Sequence, residues 1–399
     1  MPEMRGGAGT RVSIEKRIAR ELNSLREISQ FRTLNIPGGI DLSSNDYLGL
    51  AHDPRLKAAV AESVARAGRM GGTGSRLLSG HAREWEELEA EFAAFAGTEA
   101  ALYFGSGYAA NIGLLSSLLR PGDVVFSDER NHASLIDGMR LSGATKVIFP
   151  HRDAAWLEKA LREHAEDAGA RLIVTESVFS MEGDVAPLKE MARIANAHGA
   201  ALVIDEAHAT GVCGPQGRGV AAELGIEREA LAIVHTCGKA LASAGAFVCG
   251  SRSLKDFLIN RARTFIFSTA MPPYFAGQIR AALELARAAD AERTHLREIA
   301  DELRASLTAA RIDCGASSTN IVPVIVGSNE AALHVATELQ RAGFAAKAIR
   351  PPTVPPGTAR IRISLTSRIT KEQTRRLAEV LLAACASAGA KKGAGVAHG

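Results

Sequence analysis

Hydrophobic residues fall into two textures along this chain. From about residue 41 to residue 250, short apolar and β-branched runs alternate with stretches rich in Ala, Leu, Glu and Arg whose apolar positions recur at helical spacing. The runs Ala101–Phe104, Val124–Ser127, Lys146–Phe149, Leu172–Thr175, Ala201–Ile204, Ala232–His235 and Ala246–Cys249 predict strands. Stretches such as Trp85–Phe95, Ala154–Asp167 and Leu188–His198 predict the helices between them. Strands alternating with helices imply βαβ units, hence a mostly parallel sheet with helices on both faces. The texture then changes to one long helical run from Pro273 to Ala310. It is followed by a strand Ile321–Val326, a helix Glu330–Arg341, a strand Ile361–Leu365 and a last helix Thr370–Ala384, a smaller α+β pattern. Ahead of the strands, Ile14 to Ile28 can form an amphipathic helix, and Pro37-Gly38-Gly39 breaks the chain. The pattern predicts an N-terminal arm (1–40), a large unit (41–285), a small C-terminal unit (286–390) and a small, polar tail (391–399), with no internal repeat.

Composition narrows the function. An apolar share of 46% over 399 residues supports a sizeable core, and 47 Lys plus Arg against 44 Asp plus Glu leave a net charge of only +3. That balance argues against nucleic acid or an anionic membrane as the main partner. The five cysteines (Cys213, Cys237, Cys249, Cys314 and Cys385) are odd in number, widely spaced and without a CxxC pair, so they predict reduced thiols in a cytoplasmic protein rather than a disulfide framework or a zinc ribbon. The first twenty residues are charged and lack the apolar stretch of a secretory leader. No apolar run reaches the ~18 residues of a membrane helix.

Three local signals carry chemistry. Gly105-Ser106-Gly107-Tyr108-Ala109-Ala110 follows a strand and opens a helix, so free N–H groups at the helix start can hold a phosphate. With Asp128 after the next strand, the same segment also fits a dinucleotide fingerprint, and on these residues alone a nicotinamide-dependent dehydrogenase stays open. Asp205 in Asp205-Glu206-Ala207-His208 ends the apolar strand ALVI, where acids face the ligand crevice of such sheets. The helicase reading of these letters fails, because the Gly-Lys pair Gly238-Lys239 lacks the phosphate-loop spacing and is followed by Ala240. Lys239, set among Cys237, Gly238, Ala240 and Leu241, is a lysine whose desolvation would make it a nucleophile or Schiff-base former. There is no GxSxG elbow, no HExxH and no histidine pair at metal-ligand spacing. A phosphate-cradling turn, a strand-tip acid and a desolvated lysine together are what pyridoxal 5′-phosphate needs: the lysine forms the Schiff base and the acid keeps the pyridine nitrogen protonated.

The stretches LSSNDYLGL (42–50), GGTGSRLLSGH (71–81), FGSGYAAN (104–111), DERNHASLIDG (128–138), TESVFSMEGD (175–184), DEAHATGVCGPQGRG (205–219), HTCGKALASAGAFV (235–248), FSTAMPP (267–273) and PPTVPPGTARIRISL (351–365) resemble, in order and over nearly the whole chain, the α-oxoamine synthase family of fold-type I pyridoxal-phosphate transferases. The resemblance implies that Lys239 carries the cofactor, Asp205 pairs with its pyridine nitrogen and His132 stacks on its ring. His208 and Ser180 would meet the phenolic oxygen or position the substrate. Gly107, Tyr108 and Thr236 would hold the phosphate, joined by Ser268 and Thr269 of a neighbouring subunit, which implies a homodimer with shared active sites. Arg362 would grip the amino-acid carboxylate, with Asn45 nearby. FSTAMPP and GPQGRG are most similar to the branch that condenses L-alanine with a pimeloyl thioester, on CoA or on an acyl-carrier protein, in biotin biosynthesis. Sister enzymes of the 2-amino-3-ketobutyrate or 5-aminolevulinate type, using glycine or another amino acid with a different acyl-CoA, differ by few residues. Ala209 and Glu182 stand where the family commonly has glycine and aspartate.

Overall fold

The chain enters through the helix Ile14–Glu27, whose first turn is capped by Ser13 accepting the Lys16 N–H. The computed structural model describes residues 13–34, 36, 38–166 and 169–394, with side chains through residue 388. Of the expected arm, residues 1–12, Asn35 and Pro37 lie outside that range. The short strand Ile40–Asp41 (β1) follows.

The central sheet comprises Ala100–Phe104 (β2), Val124–Asp128 (β3), Thr145–Phe149 (β4), Arg171–Glu176 (β5), Ala201–Asp205 (β6), Ala232–Thr236 (β7) and Ala246–Gly250 (β8). Its order is β2-β8-β7-β6-β5-β3-β4. The strands from β7 to β4 pair in parallel, and β8 runs antiparallel to both of its neighbours. Successive side chains on a strand point to opposite faces. Phe126, Ile173, Ile204 and Ile233 therefore join one core layer, and Val125, Val174, Val203 and Val234 the other. β4, at the sheet edge, is the one central strand with several exposed residues, which explains its lysine and threonine. This topology brings the ends of β3, β5, β6 and β7 to one rim, where ligands of open α/β sheets bind.

The run expected as one helix from Pro273 to Ala310 is two, Tyr274–Arg287 and Asp290–Ala309. The physical cause is Arg293. Its buried guanidinium donates to the carbonyls of Ala286, Arg287 and Gly211 and to Asp290, so the end of the first helix is satisfied by a side chain and the axis turns. The helix expected to reach Asp167 ends at Glu163, and Asp167 lies outside the described residues.

Ile321–Gly327 (β9), Phe344–Ala345 (β10), Ala348–Ile349 (β11) and Ala359–Ser364 (β12) complete the strands. β11, β12 and β9 form a small antiparallel sheet, and β10 pairs in parallel with β1. The segment after β1 stays with this unit: Leu42 N–H donates to Ala345 O, Ser364 N–H to Leu42 O and Ser367 N–H to Tyr47 O. The last helix, Lys371–Ala394, runs into the expected tail, whose residues 395–399 lie outside the described range. Among the described residues, no helix is long and apolar enough to cross a membrane, and all five cysteines are free.

Candidate active site

A cavity of about 350 Å³ opens at the strand-end rim, and its walls gather Asn45, Gly107, Tyr108, His132, Asp205, His208, Thr236 and Lys239 from segments spread over some 190 residues. Asp205, at the last position of β6, is held by two donors: Asn111 Nδ2 lies 2.7 Å from Oδ2, and the Ala207 N–H lies 2.9 Å from Oδ1. Asn111 sits four residues into the helix Gly107–Leu118, which puts it on the face Gly107 presents, and it also donates to Ser134 Oγ at 2.9 Å. Lys239 leaves the loop after β7 with Nζ 3.5 Å from Thr236 Oγ1. Burial lowers its pKa from that of an ordinary lysine, and Arg362 adds to this, against the carboxylates of Asp205 and Glu176. His132 is the N-cap of the helix Ala133–Ser142, its Nδ1 2.8 Å from Ser134 Oγ. Burial lowers its pKa too, and Lys239 adds to this against the opposing charge of Asp205.

A second set of bonds leads away from the cavity to Arg362 on β12. His208 Nδ1 and Tyr47 Oη lie 2.6 Å apart, and Tyr47 Oη donates to Asn45 Oδ1 at 3.1 Å. Both terminal nitrogens of Arg362 lie 3.2 Å from Asn45 Oδ1, Nη2 lies 3.4 Å from Tyr47 Oη, and Nε donates to the Ser180 carbonyl. Asn45 and His208 both line the cavity, so the buried guanidinium stands directly behind its wall. Burial first, then the charges of Lys239 and Arg362, drive the pKa of His208 well below that of an ordinary histidine.

The residues fit pyridoxal phosphate. Ser106 Oγ caps the Ala109 N–H, while the Gly107 and Tyr108 N–H groups belong to the first turn and have no intrahelical acceptor. Gly107 is required by space: a Cβ there would lie 2.7 Å from Thr236 Cγ2. The Thr236 hydroxyl, which donates to Ala207 O at 3.3 Å, is thereby kept beside the helix start. A lysine amine, an oriented buried carboxylate and an anion cradle occur on one cavity.

One expected side-chain contact differs, and the pair assigned to a neighbouring subunit stands apart from this cavity. Ser180 contributes its carbonyl, to Arg362, and does not line this cavity; Ser268 and Thr269 are exposed and line an adjoining space of about 240 Å³ that shares Gly105 and Ser106. Asp128 is buried and does not line the cavity. Its carboxylate takes His151, the Arg130 N–H and the Arg152 N–H, which removes the acid a dinucleotide would need. Glu206 is structural: it accepts from Ser177, Val220 N–H and Ala221 N–H and is buried, which pushes its pKa up to about 7. Glu182 bridges Arg130 and Arg360, at 3.2 Å from each.

Sequence reasoning assigned no role to Tyr47, Asn111 or Glu176. Tyr47 and Asn111 lie inside the quoted segments LSSNDYLGL and FGSGYAAN, and the signal for Asn111 was its helical spacing from Gly107. Glu176 ends β5 as Asp205 ends β6, so its signal was the strand-tip position. It lines the cavity, and its Oε1 has no hydrogen-bond partner among the described residues. Burial, with Asp205 adding to it, raises its pKa well above that of an ordinary glutamate.

The family of class I and II aminotransferases matches residues 37–381. The 8-amino-7-oxononanoate synthase of Azoarcus sp. strain BH72 is 46% identical over 338 residues, covering 85% of this chain and 86% of that protein. Among solved structures, the serine palmitoyltransferase of S. paucimobilis with bound PLP–myriocin superposes with a TM-score of 0.87 at 29% identity, covering 95% of this chain and all of that one. The 8-amino-7-oxononanoate synthase of Francisella tularensis superposes with a TM-score of 0.76 at 28% identity, over 86% of this chain and 97% of that one.

Proposed function

The chain belongs to the class I and II aminotransferase family and, within it, to the α-oxoamine synthases, and from that premise we propose how its residues divide the work. The reaction is the decarboxylative condensation of L-alanine with a pimeloyl thioester, which releases thiol and CO2 and leaves 8-amino-7-oxononanoate for biotin biosynthesis. The cofactor is pyridoxal 5′-phosphate, and once bound it supplies an electron-accepting ring for the pair left when alanine loses its Cα proton.

Lys239 would hold the cofactor's carbon end, the Gly107 and Tyr108 N–H groups with Thr236 would hold its phosphate, and His132 would lie against its ring. Asp205, oriented by Asn111 and the Ala207 N–H, would hold a proton at the ring nitrogen. Arg362 grips the alanine carboxylate, which fixes the Cα–H bond toward Lys239. Lys239 Nζ, lowered in pKa by its burial, takes that proton. His208 and Ser180 position rather than react, the one through Tyr47 and the other through Arg362. The observation that carries this reading is the run Arg362–Asn45–Tyr47–His208, a carboxylate clamp ending on the wall of the cavity that holds Lys239 and Asp205.

Ser268 and Thr269 serve a second copy of the chain in a homodimer, which their exposure within one protomer supports. The acyl group arrives on CoA or on an acyl-carrier protein, in the cytoplasm. An activity matrix of amino acids against acyl thioesters, read by thiol release, tests the assignment. L-alanine with pimeloyl thioester is expected to give the highest kcat/KM; glycine with a shorter acyl-CoA in that place would overturn it in favour of a sister synthase.

A further inference from the structure

His151 stands outside the cavity, and none of the chemistry above uses it. Leaving β4, it inserts its ring between two buried carboxylates: Nδ1 lies 2.9 Å from Asp128 Oδ1 and Nε2 lies 2.9 Å from Asp184 Oδ2. Ionised carboxylates accept hydrogen bonds and donate none, so contacts at both nitrogens require a proton on each. An acceptor facing each ring nitrogen is the arrangement an imidazolium satisfies. The pKa of His151 is pushed up to about 9: burial opposes the charge, but the hydrogen bonds and charges of Asp128 and Asp184 outweigh it. The charged groups facing it are Asp128 from β3, Asp184 from the turn after β5, and Arg152, whose Nη1 lies 3.1 Å from Asp184 Oδ2. Phe179 packs edge-on against the ring, 4.4 Å between centroids.

Each carboxylate anchors a segment that ends in the site. Asp128 also accepts the Arg130 and Arg152 N–H groups, fixing the approach to His132. Asp184 closes the turn 179–184, in which the Phe179 N–H donates to Asp184 O and the Gly183 N–H to Phe179 O. The carbonyls of that turn hold the small sheet. Ser180 O accepts from Arg362 Nε, Met181 O from Arg360 Nη1, and Gly183 O from the Ser318 and Thr319 N–H groups. Gly183 is at φ +68°, and a Cβ there would lie 1.9 Å from Ile321 O, so the turn sits against β9 without play.

We propose that His151 is a positioning residue: locked as an imidazolium between Asp128 and Asp184, it holds the 179–184 turn where Ser180 seats Arg362, and so sets the affinity for the amino-acid substrate. This rests on the reading that Arg362 receives the substrate carboxylate.

The test is an L-alanine titration of the holoenzyme, followed by the absorbance of the bound cofactor, in wild type, His151→Gln, Asp184→Asn and Arg362→Lys. His151→Gln is expected to weaken alanine binding about tenfold through lost orientation, with the KM for the acyl thioester within about threefold. Wild type is expected to lose affinity more steeply than His151→Gln as pH rises through 9, and Asp184→Asn, with one carboxylate fewer, to lose it at lower pH. In 15N-histidine-labelled wild type, with or without cofactor, both His151 nitrogens are expected to be protonated at pH 7.5. Unchanged alanine affinity in both His151→Gln and Asp184→Asn, or an unprotonated ring nitrogen at pH 7.5, overturns the proposal. If His151→Gln does not fold, Asp184→Asn and the nitrogen spectrum still decide it. Unchanged affinity in Arg362→Lys would instead remove the carboxylate reading beneath it, so the two failures are distinguishable.

Discussion

Glu176 and Asp205 stand opposite each other in the register of β5 and β6, and both residues line the cavity. A buried carboxyl group beside a second one is pushed toward its neutral form. Glu176 Oε1 has no hydrogen-bond partner among the described residues, and burial, with Asp205 adding to it, raises its pKa, so Glu176 favours the protonated form. A neutral acid is mimicked by its amide. Glu176→Gln is therefore expected to keep kcat/KM within about fivefold, a modest change for a near-isosteric swap of a neutral group. A loss of a hundredfold or more would mean that the site uses the ionised form.

Lys239→Ala is expected to abolish turnover and the visible absorbance of the bound cofactor, and Asp205→Ala to fold normally while losing at least ~10²-fold in kcat. Absorbance spectra and thiol-release kinetics check both. Normal turnover in the lysine variant would sink the covalent assignment, and unchanged kinetics in the aspartate variant would sink the role of the ring nitrogen.

Gly107→Ala is expected to weaken cofactor affinity about tenfold by displacing Thr236 from the helix start, since neither side of that contact can yield without loosening the hydroxyl from Ala207 O. Equilibrium dialysis of pyridoxal phosphate measures it. Gly105→Ala serves as the control, because a Cβ at Gly105 meets nothing within 4 Å.

Stability should carry the signature of His151. Its folded-state pKa of about 9 lies above the ordinary value of 6.5, so its contribution is complete below pH 6.5 and is lost as pH rises through 9. Urea unfolding at pH 6 and pH 9.5 is expected to show a decline in wild type that His151→Gln lacks. Equal declines in the two proteins would assign the effect to other groups.

The central sheet was legible because its strands are buried on both faces and therefore appear as continuous apolar runs; Val124–Asp128 and Ala232–Thr236 are entirely buried. The placement of Lys239 and Asp205 at the strand-end cavity was legible because each follows or ends an apolar strand that the local sequence displays. Other features depend on partners far along the chain. Nothing near Ala288 announces that Arg293 will cap the preceding helix, and nothing near Asp128 announces that His151 will claim it. Glu176 acquires its meaning only from strand register, and the antiparallel setting of β8 depends on which neighbours it finds.

The backbone bonds that tie residues 42–47 to β10, β12 and the turn after β12 have a consequence for how this enzyme can change. Asn45 and Tyr47 bond to Arg362 of the small sheet, while Lys239 and Asp205 stand at the strand ends of the large one. On the proposed reading, the carboxylate clamp and the cofactor lysine thus sit on different sheets, which meet where the Ser180 carbonyl accepts from Arg362 Nε. Substitutions around Arg362 that keep this contact can retune which amino acid is accepted while Lys239 keeps its cofactor.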